Sequence, residues 1–198
     1  MSNELEIARG IQFSLLPKTC PAVEGWQFAA HYRPARQVGG DFYDFIPLPQ
    51  DRIGLVMADV VDKGVPAALM MSLSRAIIRT IAMNGFEPSE TLSRSNDILY
   101  HDYAESAFTT VFLAWLDPQS GQMIFANGGH NRPYLFSSTL NEINELSSKG
   151  MVLGLMPGIF IEQKTIQIND GDVLILYTDG LTEARNQQDA FYGEERLA

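Results

Sequence analysis

Cysteine occurs once in these 198 residues, at Cys20 between Thr19 and Pro21. A single thiol excludes an internal disulfide and a thiolate metal cluster, and it suits a reducing cytoplasm, so Cys20 reads as a lone structural thiol. Basic residues are also scarce: 14 Lys and Arg stand against 24 Asp and Glu, for a formal net charge of -10. Binding to nucleic acid or to an anionic membrane needs basic stripes that replace phosphate counterions, so neither partner is expected. The sequence shows no apolar run of transmembrane length. Its first nine residues carry Glu4 and Glu6 where a targeting segment would have a basic start and an apolar block. These absences predict a soluble, unsecreted, cytoplasmic chain. No repeat of fixed period and no low-complexity tract is present. The length allows one domain whose core buries roughly 70% of the unfolded surface.

What is present is a series of short, well-punctuated elements. Leu5, Ile7, Ala8, Ile11, Leu15 and Leu16 recur at three- and four-residue spacing before Pro17, which predicts an amphipathic entry helix over residues 4–16. It packs either on the domain itself or as a coupling helix from an upstream regulatory module. Residues 26–32, 41–48 and 52–60 are β-prone and joined by short turns, hence antiparallel neighbours. Residues 65–83 then switch period, with Ala67, Ala68, Leu69, Met70, Leu73, Ile77, Ile78 and Ile81 covering most of a cylinder, which predicts a largely buried helix. A more polar helix follows over residues 88–103, with Leu92, Ile98 and Leu99 inward and Ser89 as its N-cap. Further strands are expected at 108–116, 122–126, 132–136, 143–146, 160–168 and 172–177. Strands, two helices, then strands again is not the alternation of a parallel sheet, so the expected class is α+β, with antiparallel sheets and a helical layer.

Three aspartates stand in separate glycine-punctuated segments, each beside an apolar run: Gly39-Gly40-Asp41, Ala58-Asp59-Val60-Val61-Asp62-Lys63-Gly64 and Tyr177-Thr178-Asp179-Gly180. Magnesium and manganese prefer oxygen ligands, so carboxylates delivered from the ends of different strands suit them without histidine or cysteine. The Asp59 segment has two readings: a strand end offering a carboxylate and a backbone carbonyl to one point, or an Asp-rich turn in which Asp62 caps the next helix. Asp41 and Asp44 are too far apart to share one strand face. Asp41, beside the glycines, is expected at the site and Asp44 as a solvated or turn-bonding carboxylate. Glu183 reads as a cap or outer group. In Gly128-Gly129-His130-Asn131-Arg132-Pro133, His130 reads either as a proton donor to a leaving oxygen or as part of a hairpin turn. Arg33, Arg36 and Lys63 could steer a phosphate, and the same side chains could simply decorate a surface.

Taken together, Gly39-Gly40-Asp41-Phe42-Tyr43-Asp44, Ala58-Asp59-Val60 with Lys63-Gly64-Val65-Pro66-Ala67-Ala68-Leu69, Asn127-Gly128-Gly129-His130-Asn131-Arg132-Pro133 and Tyr177-Thr178-Asp179-Gly180-Leu181-Thr182-Glu183-Ala184 occur in this order. This series resembles the SpoIIE-type serine phosphatases, a bacterial branch of the metal-dependent, protein phosphatase 2C-like family. Ala8-Arg9-Gly10-Ile11-Gln12 through Leu15-Leu16-Pro17 resembles the helix that often precedes that domain. The resemblance implies a four-layer αββα sandwich of two antiparallel sheets flanked by helices, with two Mn2+ or Mg2+ ions at one end. It divides the chain into a linker helix, 1–17, and a phosphatase domain, 18–198, lacking its C-terminal elements. Carried over, Asp59 bridges both metals, the Val60 carbonyl binds one, and Asp41 and Asp179 add ligands. Arg36, Lys63 and His130 are the substrate-binding candidates. The implied reaction is direct hydrolysis of phosphoserine or phosphothreonine on an anti-anti-sigma-factor-like regulatory protein in a partner-switching pathway. An upstream sensor or receiver domain is the implied partner; the sequence leaves the oligomeric state open, a homodimer among the options. The family continues beyond the Phe191 to Leu197 region to a final strand with an Asp-Asp pair, so the competing reading is a noncatalytic pseudophosphatase or protein-binding module.

Overall fold

The computed structural model describes residues 2–102 and 107–198. Among these residues, eight strands form two antiparallel sheets. β1 (Phe42–Pro47), β2 (Ile53–Val60), β3 (Thr109–Leu116), β4 (Gln122–Gly128) and β7 (Gln163–Gln167) lie in the order β1-β2-β3-β4-β7. β5 (Tyr134–Ser137), β6 (Glu142–Glu145) and β8 (Val173–Ile175) form a second sheet in the order β6-β5-β8. α2 (Val65–Ala82) and α3 (Pro88–Asp102) cover one face of the larger sheet, and the smaller sheet covers the other. This is the expected α+β arrangement. Among the described residues the outer layer on the smaller sheet consists of the short α5 (Glu194–Leu197), whose Leu197 lines a shallow cavity with Tyr134, Phe136, Ile143, Val173 and Ile175.

The central strands explain their own composition. One core, between the helices and the larger sheet, takes Phe42 and Ile46, Val56, Ala58 and Val60, Val111, Leu113 and Trp115, with Met71, Ile78, Leu92 and Leu99 from the helices. The other, between the sheets, takes the alternate residues Ile53, Leu55, Phe112, Ala114, Leu116, Met123 and Phe125. A strand buried on both faces must be apolar at every position, which is why β2 and β3 read as continuous runs and not as alternation.

Several expectations change. Residues 26–32 form no strand, yet Trp26 and Phe28 pack into the intersheet core and Phe28 stacks edge-on to Phe45. The alternation reported which side chains turn inward, not a hydrogen-bonded ladder. α2 is amphipathic instead of largely buried: Ala67, Met71, Ser74, Ile78, Ile81 and Ala82 face the domain while Leu69 is 64% exposed. It is also long and apolar enough, by composition, to cross a membrane, contrary to the sequence expectation. Here it packs on β1, β2 and α3. On α3, Ile98 is exposed, and Ser89 bonds Gln163 of β7 instead of capping the helix. The expected end at residue 103 lies outside the described residues.

Asp44 is the largest correction among the acids. Instead of facing water it lies on the helix side of β1, 2% exposed, with Oδ2 2.9 Å from Arg75 Nη2 and 2.9 Å from Arg79 Nη1. Two guanidinium groups from α2 thus satisfy one buried carboxylate and fasten the helix to the sheet.

α1 (Ser2–Leu15) docks through an amide pair: Gln12 Nε2 donates to the Gly39 carbonyl at 2.7 Å, and Gly39 N–H donates to Gln12 Oε1 at 3.1 Å. Phe13 meets Tyr32 edge-on, and Leu16 is buried. Ile7 and Ile11, expected on the packed face, are 57% and 60% exposed. Gln12→Ala leaves a partly buried backbone N–H and C=O unpaired, and we expect a loss of about 1–3 kcal/mol in urea unfolding.

Candidate functional site

The antiparallel registers bring the glycine-punctuated segments to one end of the sandwich. β1 starts there, just after Asp41; β2 ends there with Asp59 and Val60; β3 starts there, with Thr110 paired to Asp59. The chain leaving β8 arrives from the other sheet as Tyr177-Thr178-Asp179, and Asp179 opens the four-residue α4 (Asp179–Thr182). Three elements distant in sequence therefore supply Asp41, Asp59 and Asp179 to one region.

The Asp59 and Asp41 carboxyls stand side by side, within reach of a hydrogen bond from one to the other. Burial first, then that bond and the negative charges of Asp41 and Asp179, push the Asp59 carboxyl up to about 8, so near neutrality it keeps its proton and donates it to the partner. Asp179 is likewise raised, by burial, then by Glu183 and Asp41. Tyr32, whose buried hydroxyl lacks a hydrogen-bond partner, is pushed up to about 12 by burial and by Asp41 and Asp59. The common cause is a concentration of negative charge in a partly desolvated pocket, which a divalent cation would relieve.

The Gly39-Gly40 pair shows why side chains are absent there. A Cβ on Gly40 would lie 2.5 Å from the Val60 carbonyl oxygen and 3.1 Å from Asp59 Oδ1. The backbone must approach the Asp59–Val60 strand end that closely for Asp41 to reach Asp59. Gly40→Ala is expected to displace that strand end and weaken divalent-cation binding at least about tenfold, read by calorimetric titration.

The donor set is all oxygen: carboxylates of Asp41, Asp59 and Asp179 with the Val60 carbonyl beside them. That chemistry fits Mg2+ or Mn2+ and excludes a soft-metal site. Among the described residues no three His, Cys, Asp or Glu side chains converge tightly enough to hold an ion as they stand. The Asp41–Asp59 pair closes on a proton, and Asp41 Oδ2 also accepts the Thr178 hydroxyl at 2.8 Å. Both contacts occupy the oxygens that a cation would use.

The remaining candidates separate. Lys63 is exposed and its positive charge acts on Asp179. Arg36 is exposed, with Nη1 4.0 Å from where a Gly64 Cβ would stand. Neither forms an ion pair among the described residues, so both cations at the rim are available to an anion. Arg132 is engaged with Glu145 at 3.1 Å. His130 is the correction: it is 6% exposed, with Nδ1 2.8 Å from the Thr110 hydroxyl and Nε2 3.1 Å from the Tyr177 carbonyl. Burial lowers it to about 4, so it is a neutral internal imidazole and has no free nitrogen for a substrate. Asp62 does not cap α2; its carboxylate accepts the N–H of Lys63, and Gly64 holds the N-cap position. Glu183 ends α4, its N–H bonded to the Asp179 carbonyl at 2.7 Å. Thr110, Thr178, Gln12 and Tyr32 were not singled out from sequence. Thr178, adjacent to Asp179, and Gln12, within the Ala8 to Pro17 segment, carried a positional signal.

The comparisons with known proteins agree with this geometry. The family described as Stage II sporulation protein E (SpoIIE) matches residues 49–198. The phosphoserine phosphatase RsbU of Bacillus subtilis is 32% identical over 187 residues, covering 94% of this chain and 56% of RsbU. Protein IcfG of Synechocystis is 32% identical over 222 residues, covering 98% of this chain and 35% of IcfG. The chain therefore spans only about a third to a half of these relatives. Among solved structures, the SiaA-PP2C domain of Pseudomonas aeruginosa superimposes with a TM-score of 0.82 at 26% identity, covering 99% of this chain and 79% of that one. With the family match over three quarters of its length, the same fold as a PP2C domain and its aspartates gathered at one sandwich end, this chain belongs to the SpoIIE family.

Proposed function

We propose that this chain is a metal-dependent protein serine/threonine phosphatase domain that hydrolyses phosphoserine or phosphothreonine on a regulatory protein. The observation that carries the reading is the Asp41–Asp59 carboxyl pair, held against the Val60 carbonyl by the close approach at Gly40. Asp41, Asp59, Asp179 and the Val60 carbonyl would hold two Mn2+ or Mg2+ ions. A magnesium complex of RsbX, a structure sharing the fold at 19% identity and a TM-score of 0.59, is in keeping with that choice. Bound divalent cations supply charge neutralisation at a phosphoryl group and an activated water. Asp59 and Asp41 must release their shared proton to serve. Arg36 and Lys63 bind and orient the phosphate, a role suited to exposed, unpaired cations beside a negatively charged pocket. His130 takes no part in substrate binding.

The name of RsbU, a phosphoserine phosphatase, supports a phosphoserine substrate, and the proposed substrate protein is anti-anti-sigma-factor-like, acting in partner switching. In this reading residues 1–17 are the linker to an upstream sensor or receiver domain, residues 18–198 are the phosphatase domain, and the protein works in the cytoplasm and can form a homodimer. The Gln12–Gly39 clasp supports the linker assignment, because it joins α1 directly to the segment carrying Asp41.

A second reading, a noncatalytic protein-binding module, is favoured by one observation: as they stand, no three acidic or histidine side chains among the described residues converge to hold an ion. Manganese-dependent hydrolysis of p-nitrophenyl phosphate and of a phosphoserine protein decides between them. The phosphatase reading expects turnover in the wild type, none in Asp59→Asn, and a KM raised about tenfold by Lys63→Glu. Absence of both turnover and Mn2+ binding in the wild type leaves the binding module.

A further inference from the structure

His130 lies beside the carboxylates, yet the proposed phosphate chemistry does not use it. The turn that presents it is locked: Asn127 Oδ1 accepts the His130 N–H at 2.7 Å and Asn127 Nδ2 donates to the His130 carbonyl at 3.0 Å. Gly129 has φ +74, and a Cβ there would lie 2.7 Å from Val152 Cγ1. The imidazole therefore has little freedom to choose its partners.

Those partners determine what the ring does. The Tyr177 carbonyl, 3.1 Å from Nε2, can only accept, so Nε2 carries the proton and Nδ1 is the acceptor. Nδ1 then accepts a hydrogen bond from the Thr110 hydroxyl at 2.8 Å. Thr110 is the cross-strand partner of Asp59, and its hydroxyl also lies 3.4 Å from the Asp59 carbonyl. Tyr177 stands two residues before Asp179 on the chain leaving the smaller sheet. One ring thus ties the larger sheet at Asp59 to the smaller sheet at Asp179. A second polar link across this end runs from the Thr178 hydroxyl to Asp41.

We propose that His130 is a positioning residue: by bridging Thr110 and the Tyr177 carbonyl it sets the placement of Asp179 relative to Asp59, and through that the divalent-cation affinity of the site. The inference rests on the metal-site reading above. A histidine that merely fills space would stabilise the fold without affecting the cation. Partners that orient metal ligands change affinity by about 10–100-fold when removed.

Calorimetric titration of the chelator-stripped chain with Mn2+ tests this, with circular dichroism and urea unfolding recorded for each variant. His130→Ala and Thr110→Val, which cut the bridge from either side, are each expected to weaken Mn2+ binding about 10–100-fold. Thr110→Ser, which keeps the hydroxyl, is expected to retain wild-type affinity. The His130→Ala/Thr110→Val double variant is expected to be no weaker than the weaker single, because both cut one connection. If His130→Ala does not fold, the Thr110→Val and Thr110→Ser pair decides. Folded variants that bind Mn2+ like the wild type overturn the positioning role and leave the metal site standing. A wild-type chain that binds no Mn2+ overturns the metal site, and this inference with it.

Discussion

Asp59→Asn is expected to lower Mn2+-dependent phosphate hydrolysis by about 10^3-fold or more and to change how the metal-free protein responds to pH. The first effect follows from the position of Asp59, beside Asp41 and at the strand end whose Val60 carbonyl faces Gly40. Losing several kcal/mol of cation-based charge stabilisation corresponds to a rate loss of this size. The second effect comes from the proton. Asp59 rises from an ordinary 3.8 to about 8 in the fold, so between these values the folded chain holds a proton that the unfolded chain has lost, and stability falls as pH rises. His130 works in the opposite sense: lowered from 6.5 to about 4, it adds stability as pH rises across that interval. The two oppose each other up to pH 6.5. Above it the opposing effect of His130 is spent, so metal-free wild type loses stability from pH 6.5 to about 8. Urea unfolding in chelator across this range should show the decline in wild type, a flat profile in Asp59→Asn, and recovery of the wild type when Mn2+ is added. A pH-independent wild type would refute the shared proton.

Asp44→Ala is expected to be the most destabilising single substitution outside the site. The Asp44 side chain is 2% exposed, and Arg75 and Arg79 are 16% and 30% exposed, so removing the carboxylate leaves two guanidinium groups facing each other in a poorly solvated seam. Breaking a buried ion pair from one side costs about 3–5 kcal/mol. For a domain of this size that corresponds to a fall of about 10 °C in Tm. Replacing all three residues by apolar ones of similar volume should cost much less, because no charge is then left unpaired. A Tm within about 2 °C of wild type for Asp44→Ala would show that the arginines reach water.

The contrast between Asp41 and Asp44 shows what was legible from the chain alone. Both lie in one short stretch, and their sequence spacing established that they cannot share a strand face. Only the packing of α2 decided that the Asp44 face is covered, by presenting Arg75 and Arg79 to it. The strand pattern was readable wherever local composition decides it: β1, β2, β3 and β4 appear within two residues of expectation, and both large helices begin where Pro66 and Pro88 allow. Residues 26–32 failed because an alternating pattern records burial, whereas a ladder needs a partner strand that no local pattern names.

The site divides the same way. By itself the sequence determined that Asp41, Asp59 and Asp179 stand beside glycines at the ends of apolar runs, because turn chemistry and side-chain period are local properties. Tertiary structure alone decided that His130 turns inward to join Thr110 to Tyr177, that Gln12 clasps Gly39, and that Thr178 holds Asp41. Each of these contacts joins residues 20 to 137 positions apart in the chain. Such contacts are set by sheet order and register, which no window of sequence contains.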